Sequence, residues 1–210
     1  MRMRKKPNLP ARMERCAHLL VASPQEFRGR WRDAFGYCEL LLELGCGKGR
    51  FTVETAAAQP DSLFVAVEKS ADAMIIALER AVAGRLENVR FLNAYADNVC
   101  DFFAPGEVSG IYLNFCDPWP SNRHIKRRLT SRLFLEQYRQ VLCPGGDVRL
   151  KTDNVQLFAF SLREFELGGF ILHDVTRDLH ADGPVGVMTD YELKFFSQGT
   201  PIFSCRAVME

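Results

Sequence analysis

Short, wholly apolar runs alternate with stretches of helical periodicity, and this alternation constrains the chain more than any other feature. ELLLEL (39–44), LFVAVE (63–68), NVRFLN (88–93), IYLNF (111–115) and DVRLKT (147–152) read as strands. FTVETAAAQ (51–59), ADAMIIALERAVAGRL (71–86), SRLFLEQYRQVL (131–142) and NVQLFAFSLREFEL (154–167) read as helices, the third ended by CPGG and the fourth by Gly168 and Gly169. GGFILHDV and PIFSCRAV complete the set as the last two strands. Strands without polar alternation are buried on both faces, so the expected fold is α/β, a mostly parallel seven-stranded sheet with helices on both sides. Right-handed crossovers bring the carboxyl ends of parallel strands to one edge. Glu43 to Gly49, Glu68, Asn93, Asp117 and Asp153 all fall at such ends and are expected to share one site.

The first strand runs directly into the loop ELGCGKG, which places Gly45, Gly47 and Gly49 before a helix. Glycines there let the backbone turn sharply and approach a ligand closely. A dinucleotide loop wants its third glycine one position later, where this chain has Arg50, and the phosphate-loop pattern GxxxxGK[ST] is absent. What remains is an acid two residues before GxGxG and a second acid, Glu68, ending the next strand. That combination resembles class I S-adenosylmethionine-dependent methyltransferases, whose cofactor brings a sulfonium and an ammonium rather than a pyrophosphate. On that resemblance Glu43 interacts, directly or through water, with the amino-acid end of the cofactor, and Glu68 accepts the ribose hydroxyls with its two oxygens. In NAYADN, Asn93, Tyr95, Ala96 and Asn98 are candidates for the adenine side.

Net charge is +1, from 27 Lys and Arg against 26 Asp and Glu, so any polyanion must be met by a local patch. Two such patches exist. Residues 1–15 hold Arg2, Arg4, Lys5, Lys6, Arg12 and Arg15 against Glu14 alone, and Ser121 to Arg132 hold five cations and no acid. The second follows DPWP (117–120), where prolines fix the backbone around an Asp and an aromatic ring able to stack on a base. Seven scattered cysteines without a CxxC pair or a suitably spaced histidine argue against disulfides and a metal site and for a reducing, cytoplasmic compartment. No segment has the apolar length of a membrane span.

DPWP followed by RHIKRR, KTDN after the fifth strand and TDYELKF near the end together make the chain similar to the bacterial tRNA (guanine-N7-)-methyltransferase family, from about residue 15 to the last strand. The resemblance implies a Rossmann-like class I methyltransferase fold over 16–210, preceded by a basic arm (1–15) whose order without RNA stays open. It implies S-adenosyl-L-methionine as cofactor, tRNA as partner, and methylation of a variable-loop guanosine at N7. It puts Glu43, Glu68, Tyr95 and Asp117 on cofactor positions, with Asp117 also the catalytic residue. Ser121, Asp153, Thr189, Asp190, Tyr191 and Glu192 fall on substrate positions. Arg123, His124, Ile125, Lys126, Arg127 and Arg128 form the RNA-contacting segment. Ser121 and Asn122 stand where the family usually has lysines, and Tyr95 stands where it often has Asp. Guanine N7 already carries its lone pair, so no general base is required. Asp117, Asp153 and Glu192 are equal candidates for the carboxylate that grips the base. Monomer and homodimer both stay open, as do two alternatives: a class I methyltransferase acting on another RNA, and a catalytically silent RNA-binding relative.

Overall fold

Alternate residues of the central strands enter two separate cores. The computed structural model describes residues 5–210, apart from the side chain of Asn98. Strand β1 (Glu39–Leu44) sends Leu40, Leu42 and Leu44 to one face and Leu41 to the other; β2 (Ser62–Val67) divides its residues the same way. The first face is covered by α2 (Trp31–Phe35), α5 (Val99–Phe102), α6 (Arg132–Val141) and α7 (Val155–Leu167). The second is covered by α1 (Leu9–Arg15), α3 (Arg50–Ala58) and α4 (Ala71–Ala83).

With β3 (Val89–Leu92), β4 (Val108–Asn114), β5 (Leu142–Thr152), β6 (Phe170–Thr176) and β7 (Phe203–Met209), the sheet has seven strands in the order β3-β2-β1-β4-β5-β7-β6. β1 to β5 pair in parallel, while β7 runs antiparallel between β5 and β6. This is the mostly parallel, doubly covered α/β sheet expected from the sequence. The strand order reverses between β1 and β4, so a crevice opens at their carboxyl ends, where folds of this kind bind ligands. No helix among the described residues is long and apolar enough to cross a membrane.

One local expectation changes, and two open stretches take a definite form. CPGG does not stop α6 as a free turn: it lies inside β5, where pairing shifts from Val108–Leu142 to Gly110–Asp147 and Gly145 takes φ of 77°. TDYELKF, with Thr189 as N-cap, opens α8 (Asp190–Ser197). The basic start contributes α1, which Arg12 fastens to α4 by two bonds of 2.7 and 2.6 Å to Glu79, while the Lys6 amide donates to Asp72. Arg2 and Arg4 of that patch, and the Asn98 side chain, lie outside what is described.

Candidate active site

The glycine loop leaves β1 and folds back on β2. The amides of Gly45 and Cys46 both donate to Val67 O, at 2.8 and 3.2 Å. All three loop glycines have φ between 57° and 83°, a region that side chains avoid. Their surroundings differ. A Cβ on Gly49 would lie 2.3 Å from the Ala77 Cβ, so Gly49 lets the loop press against α4, whereas Gly45 and Gly47 would meet nothing within 4 Å. Those two leave bare backbone facing open space, a cradle that side chains would fill.

The cradle is bordered by acids. Glu68, half-buried after β2, accepts the Gly47 amide at 3.0 Å on one oxygen and the Ser70 amide at 2.8 Å on the other. Each oxygen keeps a second acceptor position, so the carboxylate is fixed in place yet free to take a pair of hydroxyls. Asn93, exposed at the end of β3, donates to Glu68 O at 2.8 Å, and Tyr95 stands exposed beyond it. Glu43 is 2% exposed, at the base of the loop, so of the two interactions left open for it the indirect one fits its burial. One of its oxygens accepts from the Thr52 hydroxyl and the other from Asn114 Nδ2 at 2.9 Å. Burial raises its pKa, opposed by those two hydrogen bonds and by the Lys151 charge. The residues present therefore fit a ligand with a diol and a cationic end: bare backbone, an oriented carboxylate and a buried carboxyl below.

Across the crevice, β4 delivers Asp117, which is exposed, with Lys69 Nζ 3.7 Å from its Oδ2. The turn that carries it is strained. Phe115 and Trp119 take φ of 51° and 41°, where bulky residues are rare and each costs about 1–3 kcal/mol. The surroundings enforce both. The Phe115 amide donates to Lys151 O at 2.9 Å, and Arg128 donates to Pro118 O and Trp119 O at 3.0 and 3.1 Å. Arg128 was expected among the phosphate contacts, but it is 7% exposed, with its guanidinium 4.4 Å from the Phe160 ring centre. Its donors are directed at carbonyls of the turn. Arg127 instead lies on the outer face of Trp119, 4.9 Å from the ring centre, with the His124 ring 5.6 Å from the same indole. Arg123 and Lys126 are exposed, Ile125 is half-buried, and Ser121 caps the short 3-10 helix Asn122–Arg127 by accepting the Arg123 amide. Asp153 is exposed after β5.

The last segment is the N-terminus of α8. Thr189 is its N-cap in a reciprocal capping box with Glu192. Glu192, expected at the substrate, is 0% exposed. Its Oε1 accepts from Lys151 Nζ at 2.9 Å and meets His180 Nε2 at 3.0 Å; its Oε2 accepts the Thr189 amide at 3.1 Å. The Val185 amide donates to His180 Nδ1, which leaves the proton on Nε2 pointing at Glu192. Asp190 is gripped by Arg80. Tyr191 alone of the four points outward, 61% exposed, its ring stacked 6.5 Å from that of Phe115. A separate cleft of about 530 Å³, lined by residues such as His18, Tyr37, Arg85 and Arg90 where α4 ends and β3 begins, contains none of these residues. No group of three His, Cys, Asp or Glu side chains among the described residues is arranged to hold a metal ion.

Residues 38–205 match the family described as "Putative methyltransferase". A relative from Geobacillus kaustophilus (strain HTA426), called tRNA (guanine-N(7)-)-methyltransferase, is 44% identical over 210 residues, covering 99% of this chain and 97% of its own. The chain belongs to the tRNA (guanine-N(7)-)-methyltransferase family. A second member, from Geobacillus thermodenitrificans (strain NG80-2), is 43% identical over the same shares of both chains. Among solved structures, the 16S rRNA methyltransferase KamB matches with a TM-score of 0.63 at 17% identity over 83% of this chain and 89% of its own. A 16S rRNA (adenine(1408)-N(1))-methyltransferase variant matches with a TM-score of 0.63 at 16% identity, over 90% and 92%. At such identities these two establish the fold alone.

Within this family chain, four contributors escaped the sequence reading. Lys69 carries a weak signal, since it follows Glu68 at a strand end. Phe115 looks like the last residue of an apolar run, and only its φ and its stacking on Tyr191 set it apart. Lys151 looks like the polar end of a strand, and Arg80 like the solvent side of an amphipathic helix. The capping box Thr189-x-x-Glu192 is readable in the sequence and predicts a Glu192 side chain turned back to the Thr189 amide, though not its burial.

Proposed function

We propose that this chain transfers the methyl group of S-adenosyl-L-methionine to N7 of a variable-loop guanosine in tRNA. The observation that carries this reading is 44% identity, over 99% of the chain, to a protein of that name. It is supported by the cradle, the two acids and Asp117 meeting at the reversal of strand order.

When bound, S-adenosyl-L-methionine supplies a methyl carbon made electrophilic by its sulfonium. Gly45 and Gly47 would give it close backbone, Glu68 would accept its ribose hydroxyls, Glu43 would add negative potential from below the loop, and Asn93 and Tyr95 would serve the adenine side. Guanine N7 already holds its lone pair, so methylation there requires no side chain to remove a proton. The work of the chain is orientation and charge support. Tyr191 and Phe115 offer an aromatic face to hold the purine. Asp117, accepting from the base edge, grips harder as the ring becomes cationic, and Asp153 lies on the same rim. With Glu192 enclosed, those two carboxylates remain for the base. Thr189 and Ser121 fix the loops around it, while Arg123, His124, Lys126 and Arg127 meet phosphates. Arg128 and Asp190 serve by holding the Trp119 turn and α8. Seven unpaired thiols suit a reducing compartment such as the cytoplasm.

The test is incubation of the purified protein with methyl-labelled S-adenosyl-L-methionine and unmodified tRNA, followed by nucleoside analysis. Label is expected in 7-methylguanosine; label elsewhere, or none, overturns the reading.

A further inference from the structure

Arg80 occupies a position that neither site explains alone. From the outer half of α4 its Nη1 donates to Lys48 O at 3.1 Å and to Asp190 Oδ2 at 2.9 Å, while its Nη2 donates to Asp190 Oδ1 at 3.2 Å. Lys48 lies between the two loop glycines Gly47 and Gly49, and Asp190 is the first residue of α8, next to the outward Tyr191. One planar group therefore bridges the glycine loop and the aromatic edge, segments more than a hundred residues apart in sequence.

The pair is about one-third exposed on each side, at 36% and 33%. An ion pair so placed adds little to folding stability. Its geometry, by contrast, is specific: a bidentate fork on a carboxylate plus a bond to a main-chain carbonyl, which a lysine cannot reproduce. Ala77, one turn earlier on α4, is the residue against which Gly49 packs. The loop is thus fixed to α4 at two points, and α8 at one.

We propose that Arg80 is a positioning residue that couples the cofactor loop to the RNA-binding edge. Ordering of the Gly47–Gly49 backbone around a cofactor fixes the Lys48 carbonyl, which fixes the guanidinium and, through Asp190, the orientation of Tyr191. Each ligand then binds more tightly when the other is present, by the same factor. This rests on the reading that the glycine loop takes S-adenosyl-L-methionine and that Tyr191 meets the RNA.

The experiment measures the dissociation constant of unmodified tRNA with and without saturating S-adenosylhomocysteine, which cannot transfer a methyl group. In the unaltered protein the constant should fall roughly tenfold when the cofactor product is present. In Arg80→Met that ratio should collapse towards unity, with tRNA affinity in the absence of cofactor little changed. Asp190→Asn, which leaves the Lys48 bond in place, should lose most of the same ratio, and the double variant should lose no more than Arg80→Met. A purely structural role would lower the melting temperature and both separate affinities while leaving the ratio intact. That outcome, or a ratio of unity in the unaltered protein, overturns the proposal. Should Arg80→Met not fold, Asp190→Asn decides alone. If the unaltered protein methylates tRNA at guanine N7 but neither substitution changes the ratio, only the coupling falls; if it does not methylate tRNA, the functional reading falls first.

Discussion

Replacing Glu192 by alanine separates two roles for a carboxylate that the sequence places at the substrate. In the folded chain it is fully enclosed between Lys151, 16% exposed, and His180, 3% exposed. Its removal leaves the Lys151 ammonium with Val187 O at 3.1 Å and the Phe51 ring centre at 5.7 Å, strands the proton on His180 Nε2, and frees the Thr189 amide at the start of α8. Breaking a buried ion pair by deleting one partner costs about 3–5 kcal/mol, because the other charge stays desolvated. The reciprocal half of the capping box falls within that figure. For a domain of this size each kcal/mol moves the melting temperature by about 2–4 °C, so a fall of about 6–20 °C is expected by calorimetry. Lys151→Met combined with Glu192→Gln should recover much of the loss, since no unpaired charge then remains. Tyr191→Ala provides the contrast: its ring is outside, so melting should hardly change, while tRNA affinity should weaken about tenfold from lost stacking. If Glu192→Ala melts within about 2 °C of the unaltered protein and loses tRNA affinity instead, the anchoring role is wrong and the carboxylate reaches the substrate.

Glu43→Gln should stabilise the fold at neutral pH by on the order of 1 kcal/mol while lowering methyl transfer, because the amide can still bond Thr52 and Asn114 without a buried charge. Burial raises the folded pKa of Glu43, so its favourable contribution is complete below the unfolded carboxyl value and is lost as pH rises through the folded one. The stability difference between variant and unaltered protein should therefore vanish in acid and grow towards neutrality; a difference constant across melting curves from acid to neutral pH would refute this. Asp117→Ala should abolish methyl transfer without changing the melting temperature, as the side chain is exposed, and near-normal turnover would remove it from the mechanism. Arg127→Ala should reduce the salt dependence of tRNA binding by about one phosphate contact with melting unchanged. Arg128→Ala should instead lower the melting temperature, and equal behaviour of the two in both assays would refute their division.

The sheet, its parallel core and the shared edge were legible because they follow from period and burial. Leu40, Leu42 and Leu44 against Leu41 are apolar on both faces whatever the tertiary detail, and only a doubly covered sheet satisfies them. The glycine loop was legible for a similar reason, since a strand followed by GxGxG leaves few backbone paths. Orientation at the rim was less legible. Glu43, Glu68, Asp117 and Glu192 are the same chemistry in sequence, yet two are enclosed, Glu68 is half-buried and Asp117 is open. That difference is set by partners distant in the chain, such as Asn114 for Glu43 and Lys151 for Glu192. The bulge in β5 was missed because CPGG has the composition of a stop, and only pairing with β4 turns it into strand.

The basic run after DPWP shows what that loss of orientation means for function. Read along the chain, Arg123 to Arg128 is a uniform cationic dock, and the absence of lysines at Ser121 and Asn122 looks like a weakness in it. In three dimensions the run has two faces. Arg128 turns inward to bond the carbonyls of Pro118 and Trp119, and those bonds help hold Trp119 at a φ it would not otherwise adopt. Arg127 covers the outer face of the same indole and keeps its charge towards solvent. The Ser121 hydroxyl, where a lysine would only add charge, accepts the Arg123 amide and starts the short helix that ends at Arg127 and is capped by Arg128. Charge lost from the dock is thus exchanged for a fixed turn, and a fixed turn suits the proposed role of Asp117, two positions before Trp119, in holding the base in line for transfer to N7.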